Sequence, residues 1–186
     1  MPSAAPAPLL HVALLRPKIP QNTGNIGRLS LAMGARLHLV GQLGFRTDER
    51  ALRRAGLDYW RHVDWVRHAD LDELTRALPD GARVFPFSTR AERLYTEVAY
   101  RPGDCLLFGD EVSGLPDEVV AAAGSRAVRI PLRSTQVRSL NLANAAAIAV
   151  AEVVRQLGHP DALGPRRPDA SPSARHIEGA DPCTRS

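Results

Sequence analysis

The sequence predicts an α/β domain built around a mainly parallel sheet with helices on both faces. Short apolar runs of strand length alternate with runs of helical period almost from end to end. Polar, glycine-bearing segments follow the strands, where open parallel sheets bind their ligands. Roughly 150 residues lie between a Pro/Ala-rich start and an apolar-poor end, enough for one core without disulfide or metal staples.

Each element has its own justification. Leu9 to Leu15 is apolar, compatible with a strand, and closed by Arg16-Pro17. Ile26 to Met33 has helical period and stops at Gly34, a residue suited to the left-handed position after a helix. Arg36 to Val40 alternates as a strand, and Asp48 to Arg54 reads as a short basic helix ending at Gly56. His62 to Val66 is a further strand. Leu71 to Leu78 is an amphipathic helix ended by Pro79-Asp80-Gly81. Arg83 to Ser88 and Cys105 to Phe108 are strands, the second fully apolar and running into Gly109. Pro116 to Ala123 is a helix with proline near its first turn. Ala127 to Ile130 is a strand stopped by Pro131, and Asn141 to Leu157 is the longest helix, closed by Gly158.

Residues 1–8 read as a disordered leader, 9–158 as one domain, and 159–186 as a disordered tail poor in large apolar residues. Net charge is +4, and of 24 basic residues only Lys18 is a lysine. Arginine suits phosphate through its planar donor fork, although a charge of this size also serves plain solubility. Cys105 and Cys183 give neither a disulfide framework nor metal-ligand spacing, and Cys105 reads as a buried thiol. His11 and His38 lie in strand patterns and read as core or edge residues, so no metal is expected. No apolar run reaches membrane-spanning length and no signal sequence opens the chain, so a cytoplasmic protein is expected.

Three segments carry more polarity than folding needs. In Pro20-Gln21-Asn22-Thr23-Gly24-Asn25-Ile26-Gly27-Arg28, Asn22 and Thr23 can cap the helix that follows. Its glycines allow close backbone approach, as at a phosphate, and Arg28 lies a helical turn past Asn25. An ordinary capped helix with a surface arginine has the same spacing. In Phe108-Gly109-Asp110-Glu111-Val112-Ser113-Gly114-Leu115-Pro116, a strand ends in glycine, acids and a second glycine. This is not a dinucleotide fingerprint. An amide beside Gly109 can bind a cofactor edge, and Glu111 can fix a loop by accepting backbone N–H bonds; a plain strand-to-helix turn is the alternative. In Ile130 to Asn144, Ser139 can cap the final helix, and Asn141 and Asn144 can bond a ligand or a neighbouring loop.

These segments, in this order, resemble the motif set of the SpoU branch of the SPOUT RNA methyltransferases. Asn22 to Arg28 matches the first motif, Phe108 to Pro116 the second, and Ile130-Pro131 with Ser139 to Ala145 the third. Pro20 to Ile26, Leu43-Gly44-Phe45 and Arg53 to Trp60 further resemble the subfamily that methylates the ribose of the tRNA wobble nucleotide. Ala143 stands where that family commonly has serine. The resemblance implies a single SPOUT domain with a C-terminal trefoil knot, a topology that general rules of chain connection would exclude. It implies S-adenosyl-L-methionine as cofactor, a homodimer, and the anticodon stem-loop of tRNA as partner.

Carried over, the cofactor pocket comprises Phe87, Gly109, Glu111, Ile130, Ser139, Leu140 and Asn144. Asn22, Arg28, Ser139 and Asn141 are the catalytic candidates, with Arg28 acting electrostatically because guanidinium groups keep their proton. Arg16, Lys18, Arg53, Arg54 and Arg138 are expected to contact RNA phosphate. A relative acting on ribosomal RNA or another tRNA position is the competing enzyme. An RNA-binding module without catalysis would not need the full motif set, and a nucleotide-dependent oxidoreductase lacks its glycine signature.

Overall fold

The computed structural model describes residues 7–45 and 58–158. The expected helix over Asp48 to Arg54, most of the leader and the tail lie outside the described residues. Strand β1 (Leu10–Leu15) is central and buried along its whole length. It pairs in parallel with β2 (Ala35–Val40) on one side and β6 (Cys105–Phe108) on the other. Outside these lie β3 (Trp65–His68) and β4 (Val84–Pro86), giving the order β3-β2-β1-β6-β4 with every pair parallel.

A strand covered on both faces reads apolar on both, which explains the run of β1, broken only by His11. Leu10, Val12 and Leu14 join Leu37, Leu39, Leu106 and Phe108 in one core, with Ile26 of α1 (Pro20–Met33) and Ala146, Ala149, Val150 and Val153 of α4 (Leu142–Leu157). Ala13, Leu15, Val40, Cys105 and Leu107 face the other way. They meet Leu74 of α2 (Leu71–Ala77) and Val119 and Val120 of α3 (Asp117–Ala123). Cys105 is buried there as a free thiol. Also on that side, His11, His38 and His68 are buried in a row across β1, β2 and β3.

Several boundaries differ from expectation for physical reasons. α1 starts at Pro20, more than a turn before Ile26, because proline at the first helical position is already set for the helix. Asn22 and Thr23 therefore lie inside α1 and do not cap it; Ile19 occupies the N-cap without a side-chain bond. Gly34 ends α1 at φ 65° and donates to the Ser30 carbonyl, as its position suggests. β3 begins at Trp65 rather than His62, because Asp58–His62 form a 3-10 turn that packs on α1. Ala127–Ile130 does not join the main sheet. Its core, β7 (Val128–Arg129), pairs with β5 (Arg93–Leu94), a strand too short to show a period. Val128 also bridges Phe87 and accepts the Ser88 N–H at 2.9 Å, so β7 lies alongside the chain just beyond β4.

Candidate active site

Strand order reverses beside β1: β2 and β3 lie to one side, β6 and β4 to the other. The loops leaving the carboxyl ends of β1 and β6 meet at this switch point, the usual ligand position in such sheets. The chain leaves β1 through Arg16, a left-handed non-glycine residue at φ 52°. Strain of this kind is concentrated at functional sites.

Glu111 joins the two loops. Its Oε2 accepts the Lys18 N–H at 2.8 Å and its Oε1 the Ile19 N–H at 3.1 Å, so it fixes a loop as its sequence position suggested. The buried Asn22 donates from Nδ2 to Glu111 Oε1 at 3.0 Å. The Oδ1 of Asn22 accepts from Asn141 Nδ2 at 3.0 Å. Asn141 Oδ1 then accepts the Ala143 and Asn144 N–H groups that open α4. One side-chain chain thus ties the first helix, the acidic loop and the last helix. Asn141, not Ser139, is the cap of α4, because an asparagine directly before the first turn already satisfies two of its orphan donors.

Asp110 supports the same loop. Burial alone would raise its carboxyl, but donation from the Ser113 and Val112 amides and from the Lys18 ammonium holds it below the ordinary carboxylate range. Lys18 Nζ stands 3.1 Å from Asp110 Oδ1, so this ammonium already has an acidic partner.

Beside the network lies a cavity of about 300 Å³. Phe87, Gly109, Glu111, Ile130, Ser139 and Leu140 line it, together with Arg138. Phe87 and Phe108 stack there with centroids 4.7 Å apart. Gly109 leaves no room for a side chain: an added Cβ would lie 2.0 Å from the Gly114 carbonyl carbon. The loop therefore folds back on itself, with the Gly114 and Leu115 backbone packed against Gly109 in the cavity lining. Asn144 is exposed and outside the lining, its amide used by the Asn141 cap. Arg16 is exposed, and Arg53 and Arg54 lie outside the described residues.

Arg28 is exposed on α1 and does not line the cavity; its guanidinium carbon lies 4.5 Å from the centroid of the Tyr59 ring. Two glycines of the first segment meet the 3-10 turn. The Tyr59 hydroxyl donates to the Gly24 carbonyl at 2.8 Å, and a Cβ on Gly27 would come within 2.6 Å of the Trp60 ring. Sequence reasoning also missed Arg90, which lines the cavity while donating to the Leu115 carbonyl at 2.7 Å and pairing with Asp117 at 2.9 Å. Its signal was a basic residue just beyond a strand's carboxyl end.

Glutamine at position 111 would turn one acceptor oxygen into a donor facing donors. Leaving such groups unmatched costs about 1–3 kcal/mol, so Glu111→Gln should melt roughly 3–10 °C lower in thermal denaturation.

Residues 9–151 match the model of the SpoU rRNA Methylase family. The tRNA (cytidine(34)-2'-O)-methyltransferase of Burkholderia ambifaria is 44% identical over 152 residues, covering 81% of this chain and 97% of its own. A solved structure that concerns 2-OH methylation of C/U34 on tRNA superimposes with a TM-score of 0.74 at 49% identity. That match covers 80% of this chain and 95% of the other. An AdoMet-bound rRNA methyltransferase from Sinorhizobium meliloti matches with a TM-score of 0.67 at 32% identity, over 80% of this chain and 56% of the other.

Proposed function

The chain belongs to the SpoU methylase family, and from that premise we propose that it transfers a methyl group from S-adenosyl-L-methionine to the ribose 2'-hydroxyl of the wobble nucleotide in tRNA. The observation that carries this reading is the bonded chain Glu111–Asn22–Asn141, which unites all three motif segments beside the Gly109 cavity. The similar protein from Burkholderia ambifaria, a tRNA cytidine-34 enzyme, supports the choice of nucleotide.

The cavity fits the cofactor. Phe87, Phe108, Ile130 and Leu140 offer apolar walls, and the bare backbone at Gly109 offers amide and carbonyl groups to a flat heterocycle. When bound, S-adenosyl-L-methionine supplies a methyl group already activated by the positive charge on its sulfur. The protein's task is then chiefly alignment, which contributes about 7–11 kcal/mol in favourable cases. Asn22 and Asn141 hold the loops at the reacting end, with Ser139 at the cavity wall. Arg28 grips phosphate and stabilises negative charge developing on the ribose oxygen. Arg16, Arg138, Arg53 and Arg54 extend the phosphate contacts to the anticodon stem-loop, whereas the Lys18 ammonium is engaged by Asp110.

We place the enzyme as a homodimer in the cytoplasm. Leu31 on α1 and Ile148 on α4 are exposed on helices that pack against each other, an apolar surface suited to a second copy. Among the described residues no helix is long and apolar enough to cross a membrane. The passage of residues 131–141 between β7 and α4 is the segment where the family's knot would close.

Mass spectrometry of tRNA incubated with protein and cofactor tests the reading. A 2'-O-methyl group at the wobble nucleotide alone is expected; methylation confined to ribosomal RNA or another tRNA position would overturn it. Arg28→Lys keeps the charge but loses the fork, and its single-turnover rate is expected to fall about tenfold or more.

A further inference from the structure

We infer that Tyr59 is a positioning residue for Arg28, holding its guanidinium against a ring face so that every N–H donor stays available to RNA. The inference rests on the role proposed for Arg28.

An exposed arginine on a helix loses rotamer freedom when fixed in one pose. A carboxylate partner could fix it, as Asp110 does for Lys18, but would occupy the donors that phosphate requires. Here the guanidinium lies over the Tyr59 ring, 4.5 Å from the centroid. Among the described residues Arg28 has no acidic partner or side-chain hydrogen bond. A cation over an aromatic face is attracted without donating a hydrogen bond.

The platform is itself rigid. The Tyr59 hydroxyl donates to the Gly24 carbonyl at 2.8 Å, one turn before Arg28 on the same helix. The neighbouring Trp60 is buried, and its ring contacts the backbone at Gly27 so closely that a Cβ would stand at 2.6 Å. Trp60 also meets Trp65 at the start of β3, centroids 5.7 Å apart. The 3-10 turn is thus docked on α1 from Gly24 to Arg28, on the helix that also carries Asn22.

Single-turnover methylation of a wobble-cytidine tRNA transcript at saturating cofactor tests this, with the full chain carrying Tyr59→Phe, Tyr59→Leu, Arg28→Ala, or the last two together. Tyr59→Phe keeps the ring and is expected within about threefold of the parent. Tyr59→Leu is expected to lose about tenfold in rate and a few-fold in tRNA affinity, with cofactor affinity by calorimetry unchanged. The double variant should be no slower and bind tRNA no more weakly than Arg28→Ala. Multiplying losses in the double variant, or a full rate for Tyr59→Leu, would overturn the positioning role while leaving that of Arg28 standing. A full rate for Arg28→Ala would sink both. If Tyr59→Leu melts too low to assay, Tyr59→Met, closer in volume, takes its place in the cycle.

Discussion

Gly109→Ala is expected to weaken S-adenosyl-L-methionine binding by at least about 100-fold, equivalent to about 3 kcal/mol. The added methyl would stand 2.0 Å from the Gly114 carbonyl carbon, 2.2 Å from its oxygen and 2.2 Å from the Leu115 nitrogen. All three are backbone atoms, so no rotamer change relieves the overlap. Overpacking costs about 1–3 kcal/mol even where flexible side chains can yield. Here the loop from Asp110 to Leu115 must move as a body. That motion displaces Glu111 from the Lys18 and Ile19 amides. Gly114→Ala provides the contrast. Gly114 adopts φ +70° with open space where a Cβ would go, so alanine adds only left-handed strain of about 1–2 kcal/mol. Calorimetry should find cofactor affinity reduced far less there. Parent-like binding by Gly109→Ala would show that the cavity floor is not the cofactor site.

The legible parts of this fold are those where burial writes a pattern into the chain. β1, β2 and β6 are fully or almost fully buried, and each is legible, β1 and β6 as apolar runs and β2 as an alternating one, within a residue or two of its true ends. The boundaries that slipped depend on contacts distant in sequence. β3 starts late because Tyr59 and Trp60 are held by Gly24 and Gly27, about 35 residues earlier. β5 and β7 are two residues each and exist only as partners of one another. The same holds at the site. Asn22, Glu111 and Asn141 stand out as polar residues near element ends, yet no spacing rule pairs residues 89 and 119 positions apart. Their alignment with a known motif set grouped them, and the hydrogen bonds give the grouping a physical cause. Glycine was the least legible residue type. Gly109 and Gly27 both exclude a side chain, one for a backbone turn and the other for an indole ring.

Between pH 6.5 and pH 4.5 the protein is expected to lose about 3–5 kcal/mol of stability through three histidines. His11 Nδ1 lies 2.8 Å from His38 Nε2, and His38 Nδ1 lies 2.8 Å from His68 Nε2. Each ring is about 2% exposed. Two bonds in series fit neutral imidazoles, each giving one proton in the same direction along the row. Among the described residues the outer nitrogens, His11 Nε2 and His68 Nδ1, are buried without partners, so an added proton finds no acceptor there at either end. Burial, then the Arg36 guanidinium, pushes His11 down to about 4, with Asp64 opposing weakly. Burial and then the neighbouring imidazoles push His38 down to about 3, and burial lowers His68 against the opposing charge of Glu73. Above about pH 7 neither the folded nor the unfolded chain protonates these rings, and stability is flat. Below the unfolded value near 6.5 only the unfolded chain takes up protons, so stability falls as pH drops toward 4. Glu152, held at about 2 by Arg155 and Gln156, acts in the same direction but only below its ordinary value of 4.5, which leaves the window above pH 4.5 to the histidines. Urea unfolding at steps from pH 7.5 to 4.5 should show this slope, and His38→Leu should flatten it while lowering stability at neutral pH. Equal stability at pH 7 and pH 5 in the parent protein would mean that the row carries a proton in the folded state.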